Sequence, residues 1–134
     1  MKVNTKIRYG LRTIIQLAQS DNTGVLQKHI SEKQQISNKY LDIIIAGLKA
    51  KGLIRNVSGK KSGYLLTQTP DKITVYDVFT TFEPKVCIID CLYTSGVCDR
   101  EPICSARDFW KDLNFLIDSK LKTTSIADIL KFEK

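Results

Sequence analysis

The sequence has no long apolar run, no Cys-x-x-Cys pair and only one histidine. No stretch approaches the roughly 18 apolar residues of a membrane-spanning helix, and no basic segment followed by an apolar one precedes a small-residue cleavage site. We therefore expect a cytoplasmic protein with no membrane partner. The missing Cys-x-x-Cys motif and the distance in sequence between His29 and the cysteines argue against a thiol enzyme, and no small-molecule substrate is expected.

Composition and charge indicate a small folded protein with one basic half. The 134 residues are 43% hydrophobic, which suffices for one domain or for a small domain with a dimerisation extension. Residues 1–72 carry 13 Lys and Arg against 4 Asp and Glu, a balance of +9, whereas residues 73–134 carry 8 against 10, a balance of −2. The basic half is the one expected to bind a polyanion, although exposed lysines also serve solubility.

The basic half is predicted to begin with two helices. Apolar residues recur at helical spacing from Ile7 onward, which predicts a helix capped by Asn4 or Thr5 and running to about Ser20. After a polar break at 21–24, a second and much shorter helix is expected to end near Gln34 or Gln35.

The third predicted helix has the features of a DNA-recognition helix. Ser37 is its expected N-cap and Gly52 its expected C-terminal stop. Its inward stripe consists of Leu41, Ile44, Ile45 and Leu48. On the other face, Asn38, Lys39 and Asp42 are short polar or charged groups suited to base edges and phosphates. The second and third helices therefore predict a helix-turn-helix.

A β-hairpin is predicted directly after these helices. Two short apolar runs, 53–57 and 64–66, flank a glycine-bounded loop that carries Lys60 and Lys61. Such a lysine-bearing tip is often only solvated surface. After a recognition helix it is expected to act as a wing, with its lysines along the phosphate backbone or in the minor groove.

Two further helices and a loop are predicted in the second half. Thr74 and Asp77 form a capping-box pattern, and Glu83-Pro84 ends the helix that follows. From Ser105 a long amphipathic helix presents a heavy apolar stripe. Its proposed dimerisation residues are Phe109, Trp110, Leu113, Leu116 and Ile117. That stripe can be buried within the chain or form the seam of a homodimer, and a one-half-site winged helix favours the dimer.

The loop between these two helices carries the cysteines. Cys87, Cys91, Cys98 and Cys104 fall within 18 residues. Clustered thiols in a reducing cytoplasm favour a soft metal, an iron–sulfur cluster or a redox function over disulfide staples. The alternatives are a zinc-stabilised module, for which the usual paired spacing is absent, and a cluster-free thiol switch that uses a pair such as Cys98 and Cys104.

Taken in order along the chain, these segments resemble the Rrf-type family of small bacterial winged-helix regulators. The family includes the iron–sulfur cluster regulator, the nitric-oxide-sensing repressor and the cysteine-metabolism repressor. The resemblance rests on the segments 6–11, 36–41, 48–53, 63–66 and the cysteine loop that leads into 109–113. It implies a homodimer that binds pseudo-palindromic double-stranded promoter DNA. It also implies a two-iron two-sulfur or four-iron four-sulfur cluster on three loop cysteines, which match Cys91, Cys98 and Cys104.

The match departs from the family pattern at the cluster. Six residues separate the first pair of that trio, where the family commonly has five. The histidine that serves as fourth ligand in the cluster regulators is replaced by Arg107, and the acidic residue of the nitric-oxide sensors by Arg8. Cys87 is the expected substitute, with a small-hydrophobe role as its alternative. A two-iron two-sulfur cluster is favoured over the larger one, and a chain with no cofactor is the remaining option.

The expected protein is mainly α with a small β-hairpin wing. Residues 1–72 form a winged helix-turn-helix, and residues 73–134 form a cysteine sensor loop and a long dimerisation helix. Its function is transcription regulation, with promoter affinity controlled by the cluster. The expected DNA-contacting residues are Lys6, Lys28, Ser37, Asn38, Lys39, Tyr40, Asp42, Ser58, Lys60 and Lys61. Here Asp42 stands where some family members have a discriminating glutamate, and Ser58 replaces the wing arginine of the family.

Overall fold

Helices dominate the chain, with one small hairpin between the third and the fourth. The computed structural model describes residues 2–58 and 63–132. Within them the helices are α1 (Thr5–Ala18), α2 (Gln27–Gln34), α3 (Asn38–Ala50), α4 (Val75–Phe82), α5 (Ser105–Thr123) and α6 (Ile126–Leu130), and the strands are β1 (Ile54–Asn56) and β2 (Tyr64–Leu66). The predicted class, mainly α with a small hairpin, is confirmed. Short 3-10 turns lie at Pro70–Lys72, Asp90–Leu92 and Glu101–Ile103.

The ends of the helices follow from local side-chain caps. The Asn4 side chain accepts a hydrogen bond from the Ile7 amide, so Asn4 rather than Thr5 caps α1. The predicted capping box of Thr74 and Asp77 opens α4, and a second capping box opens α6. Helix α1 ends at Ala18, slightly before the predicted end.

The hairpin is extended by a third backbone segment. Strands β1 and β2 pair antiparallel, with Ile54 opposite Leu66. Val25, just before α2, exchanges two backbone hydrogen bonds with Tyr64 at 3.0 and 2.9 Å. Gly63 permits the close approach at this crossing, since a Cβ there would lie 3.1 Å from the Val25 backbone, tighter than an ordinary contact. The hairpin is thereby fixed to the entrance of α2.

The main core is formed by the first three helices, the hairpin and α4. Its fully buried members include Ile14, Ile30, Leu41, Ile44, Leu48, Ile73 and Val78. The ring of Phe82 lies between α1 and α3, where a Cβ on Gly10 would come within 2.6 Å and one on Gly47 within 2.7 Å. Two glycines on neighbouring helices therefore make the room for one aromatic ring.

The C-terminal segment returns to this core. Thr74 and Ser125 form a backbone bridge, and the Ile126 amide donates to the Ile73 carbonyl at 2.8 Å. Ile126 is fully buried in the main cluster. The division at residue 72 stays a prediction, and the apolar core continues across it.

Helix α5 packs on α4 through a second, smaller cluster. Ile7, Phe79 and Val86 are buried there, with Ile117 and Leu121 against them.

In the described ranges, none of the helices is long and apolar enough to cross a membrane.

Candidate nucleic-acid interface and cysteine loop

Helices α2 and α3 are joined by a tight turn of three residues. Gln35 adopts the left-handed conformation with φ 55°, which ends α2. The Ser31 hydroxyl donates to the Ile36 carbonyl at 2.6 Å across the turn. Ser37 then caps α3, accepting from the Tyr40 amide at 3.1 Å. The predicted helix-turn-helix geometry follows from these local bonds.

Helix α1 holds the turn from behind. The Arg12 guanidinium donates to the backbone carbonyl of Gln34 and, at 3.2 Å, to its side-chain oxygen. The Gln34 amide in turn donates to Gln16 at 2.9 Å. These polar bonds fix the last turn of α2 on α1, so α3 projects from a braced support.

The outer face of α3 carries three of the predicted DNA-contacting side chains. Asn38, Lys39 and Asp42 are exposed, while the predicted inward stripe of α3 is buried. Two other predicted residues on this helix are already engaged. The Ser37 hydroxyl serves as the N-cap, and Tyr40 is half-buried with its ring edge-on to Tyr9 at 5.2 Å between centroids.

The remaining predicted contacts are exposed or lie outside the described residues. Lys6, Lys28 and Ser58 are exposed. Lys60 and Lys61, at the predicted wing tip, lie outside the described residues. The assignment of all these residues to DNA stays a prediction.

Sequence reasoning missed a side chain that contacts this face. Gln27, the first residue of α2, donates from Nε2 to Asp42 Oδ1 at 2.7 Å and to the Asn38 carbonyl oxygen at 3.1 Å. The pair is fifteen residues apart, so no helical periodicity connects them. It also missed Ile43, an apolar side chain on α3 that is 49% exposed.

The four cysteines are free thiols in the segment between α4 and α5. Cys87, Cys91 and Cys104 are half-buried, and Cys98 is exposed. The Cys87 thiol donates to the Ile89 carbonyl at 3.2 Å. Cys104 occupies the N-cap position of α5, so the last thiol stands at the start of the long helix.

Arg107, in the first turn of α5, contacts two parts of the loop. Its guanidinium donates to the Cys91 carbonyl at 3.4 Å and lies 3.7 Å from the Glu101 carboxylate. The other oxygen of Glu101 accepts from the Gly96 amide at 3.1 Å. The residue that replaces the family histidine therefore has a bonding role within the loop.

Asn114 of α5 anchors the beginning of the loop. It is a buried polar residue, 5% exposed. Its Nδ2 donates to the Val86 carbonyl and to the Tyr93 hydroxyl, both at 3.1 Å, and its Oδ1 accepts from the Ile88 amide at 2.9 Å. This role could not be predicted, because Asn114 belongs to no recognised motif and its partners lie 21 to 28 residues away in the sequence.

The donor types suit an iron–sulfur cluster, because thiolates are the soft ligands that such clusters use. The arrangement is open: in the part of the chain that the structure describes, no three His, Cys, Asp or Glu side chains are grouped to hold a metal ion. The residue types therefore fit a cluster, and the loop would have to close around one.

The predicted dimerisation stripe of α5 divides into two parts. Phe109 and Leu116 are 60% and 64% exposed, and Trp110 is 37% exposed. Leu113 and Ile117 are half-buried, with Ile117 packed on the cluster below α5. Phe115, which the predicted stripe left out, is 67% exposed. The outer part of this helix thus presents a large apolar face to solvent.

The family model described as "Rrf2: Iron-dependent Transcriptional regulator" matches residues 3–131. The HTH-type transcriptional regulator CymR of Bacillus subtilis is 29% identical over 133 residues, covering 98% of this chain and 91% of that protein. The protein rrf2 of Nitratidesulfovibrio vulgaris is 31% identical over 132 residues, covering 98% of this chain and 88% of that protein.

Solved structures agree over the whole length of the chain. The structure of CymR, described as the global cysteine regulator of B. subtilis, superposes with a TM-score of 0.84 at 25% identity, covering 100% of this chain and 99% of that one. The T. potens IscR structure gives a TM-score of 0.79 at 30% identity, covering 100% and 89%. The predicted winged-helix fold is confirmed by these superpositions.

Proposed function

The chain belongs to the Rrf2 family of transcription regulators, and we propose that it acts as a homodimer that binds pseudo-palindromic promoter DNA under the control of its loop thiols. Proteins of this family regulate transcription and are not enzymes. The observation that carries the proposal is the outward face of α3, where Asn38, Lys39 and Asp42 are exposed. The turn that leads into this helix is held on α1 by the bond from Arg12 to Gln34.

Duplex DNA is the partner that this surface suits. The half of the chain that contains α3 has a balance of +9, which favours a phosphate backbone. A helix of this kind fits the major groove, where amide, cationic and carboxylate side chains distinguish base edges. Next to the major groove, five further residues are proposed to contact phosphates or the minor groove: Lys6, Lys28, Ser58, Lys60 and Lys61.

Dimerisation completes the binding unit. A single recognition helix reads one half-site, and two-fold related helices about one DNA turn apart, roughly 34 Å, read a pseudo-palindrome. The exposed apolar side chains of α5, among them Phe109 and Leu116, supply the surface that a second copy would cover.

For the sensor we propose an iron–sulfur cluster, two-iron two-sulfur rather than four-iron four-sulfur. Cys91, Cys98 and Cys104 would hold it, with Cys87 as the fourth ligand. The iron-dependent family description and the likeness to an IscR support this proposal. When bound, a cluster would supply an electron-accepting centre that can be oxidised or reduced. Loss of the cluster would give a third state of the protein.

A cluster-free thiol switch is the second candidate. It is favoured by the open arrangement of the thiols in the described residues and by the exposure of Cys98. The likeness to CymR of Staphylococcus aureus, for which an oxidised form has been crystallised, supports it as well.

Anaerobic purification separates the two sensors. A cluster gives a brown protein with visible absorbance and matching iron and sulfide content, and Cys91→Ser should remove all three. Cys87→Ser tests the fourth ligand. Colourless protein without iron, whose DNA affinity still responds to peroxide, would contradict the cluster and support the thiol switch.

The salt dependence of DNA binding tests the assigned face. Lys39→Ala and Lys61→Ala should each weaken binding to all sequences and flatten the slope of log affinity against log salt by about one. Lys111→Ala, an exposed lysine on α5, is the matched control and should leave the slope unchanged. An unchanged slope in Lys39→Ala and Lys61→Ala would contradict the assignment.

A further inference from the structure

We propose that Gln27 is a positioning residue that sets base preference, by holding the Asp42 carboxylate to accept from a cytosine amino group beside a thymine methyl that Ile43 contacts. This inference rests on the proposed function. Gln27 is the first residue of α2 and is not among the predicted DNA contacts. Ile43 is an exposed apolar side chain of α3.

The orientation of the Gln27 amide follows from its partners. Nε2 lies 2.7 Å from Asp42 Oδ1 and 3.1 Å from the Asn38 carbonyl oxygen. A carboxylate and a carbonyl oxygen can only accept, so the nitrogen of the amide must face them and both its hydrogens are used. The two bonds join the first turn of α2 to α3 at two successive turns.

The hydrogen bond from Gln27 matters because Asp42 would be a poor DNA ligand without it. An anionic side chain is repelled by phosphates, and a free aspartate on an exposed helix can rotate away from the groove. A bond to a charged acceptor is among the stronger hydrogen bonds of a surface, and it restricts Asp42 to one direction. One carboxylate oxygen is thereby used, and the other remains as an acceptor.

The side chains of Asp42 and Ile43 then favour particular bases in the major groove. In the major groove a carboxylate accepts from the N4 amino group of cytosine, whereas guanine offers two acceptors that it would repel. Ile43 is 49% exposed on the same helix and can contact only apolar groups, of which the thymine methyl is the one that the major groove offers. Each half-site should therefore contain a cytosine and a nearby thymine.

Selection from a duplex library with randomised half-sites tests the inference, followed by competition binding of single-base variants. The wild type should prefer cytosine at one position by roughly five- to tenfold over other bases. Gln27→Glu keeps the length but cannot donate, and Gln27→Leu removes the amide. Both should reduce that preference to less than about twofold at the same position, as should Asp42→Ala.

Double substitution and controls make the test specific. If Gln27 acts through Asp42, the double variant should be no less selective than Asp42→Ala alone. Ile43→Ala should lower the thymine preference and leave the cytosine preference intact. Gln68→Leu, an exposed glutamine after the hairpin, is the matched control and should behave as the wild type. Thermal unfolding of each variant confirms that it is folded.

The outcomes distinguish the inference from its premise. A cytosine preference that survives Gln27→Glu and Gln27→Leu but not Asp42→Ala would show that Gln27 does not position Asp42. DNA binding by the wild type with no cytosine preference would also overturn the inference while leaving the proposed function standing. If the wild type binds no duplex at low salt in any redox or metal state, the proposed function itself fails.

Discussion

Replacing Asn114 by leucine should destabilise the protein even though it makes α5 more apolar. Asn114 is 5% exposed, and its side chain bonds the Val86 carbonyl, the Ile88 amide and the Tyr93 hydroxyl. Leucine has a similar volume, so the substitution tests the hydrogen bonds with little change in packing. Loss of the hydrogen bonds lowers the free energy of unfolding, whereas burial of the added apolar surface raises it.

The magnitude follows from the partners that lose their bonds. Val86 is 1% exposed, so its carbonyl would be left buried and unpaired, at a cost of about 1–3 kcal/mol. The half-buried Ile88 amide adds about 1 kcal/mol, whereas the Tyr93 hydroxyl belongs to an exposed side chain and can return to water. Burial of the leucine recovers about 1–2 kcal/mol. We expect a net loss of about 1–2 kcal/mol.

Urea unfolding at a fixed protomer concentration measures this change. The midpoint should fall with no change in slope, and hydrogen exchange at the Ile88 amide should accelerate. Asn56→Leu, at an exposed strand position, is the control and should shift stability by less than about 0.5 kcal/mol. A stability for Asn114→Leu that equals or exceeds the wild type would refute the view that these bonds hold the loop.

Further predictions concern the core, the dimer and pH. Gly47→Ala should cost about 1–3 kcal/mol in urea unfolding, because its Cβ would lie 2.7 Å from the Phe82 ring, and adding Phe82→Leu should recover part of that loss. Leu116→Asp should shift sedimentation from dimer to monomer, since its side chain is 64% exposed on the proposed interface; unchanged sedimentation would exclude that face. The hydrogen bond from the Ser125 backbone amide lowers the pKa of Asp128 in the folded protein. The ionised carboxylate therefore stabilises the fold above about pH 4, and this stabilisation is lost as the pH falls through the folded-state pKa. Asp128→Asn should therefore flatten the decrease in melting temperature below about pH 4, and an unaltered pH profile would contradict this.

Features that depend on neighbouring residues could be predicted from the sequence. The caps at Ser37 and Thr74 are local, because a side chain and an amide three residues later decide them. The inward stripe of α3 follows from helical spacing in the same way. These local rules located α3 and the entrance of α4 correctly.

Features that depend on contacts between distant segments could not be predicted. Phe82 reads as one more apolar residue of α4, and only the packed fold brings it between Gly10 and Gly47. Tyr40 lies on the polar side of α3 by periodicity, but Tyr9 of α1 covers part of it. For the same reason the Gln27 bond to Asp42 is visible only once α2 and α3 are placed together.

The anchoring of the loop limits how a change at its thiols can reach DNA. Its first residues are fixed on two sides, since Asn4 donates to the Glu83 carboxylate at 2.7 Å and Asn114 bonds Val86 and Ile88. Rearrangement is therefore expected after this anchored part, in the segment 89–104 that carries Cys91, Cys98 and Cys104.

That segment ends at the N-cap of α5, and Arg107 on the first turn of this helix bonds the Cys91 carbonyl. A thiol-dependent change should therefore act first on α5, which carries the exposed apolar face, and only then on α3. Because the Arg12–Gln34 bond holds the turn that leads into α3 on α1 of the same subunit, the expected effect is a changed spacing of two proposed recognition helices. A roughly 34 Å half-site separation makes DNA affinity sensitive to a small rotation of this kind.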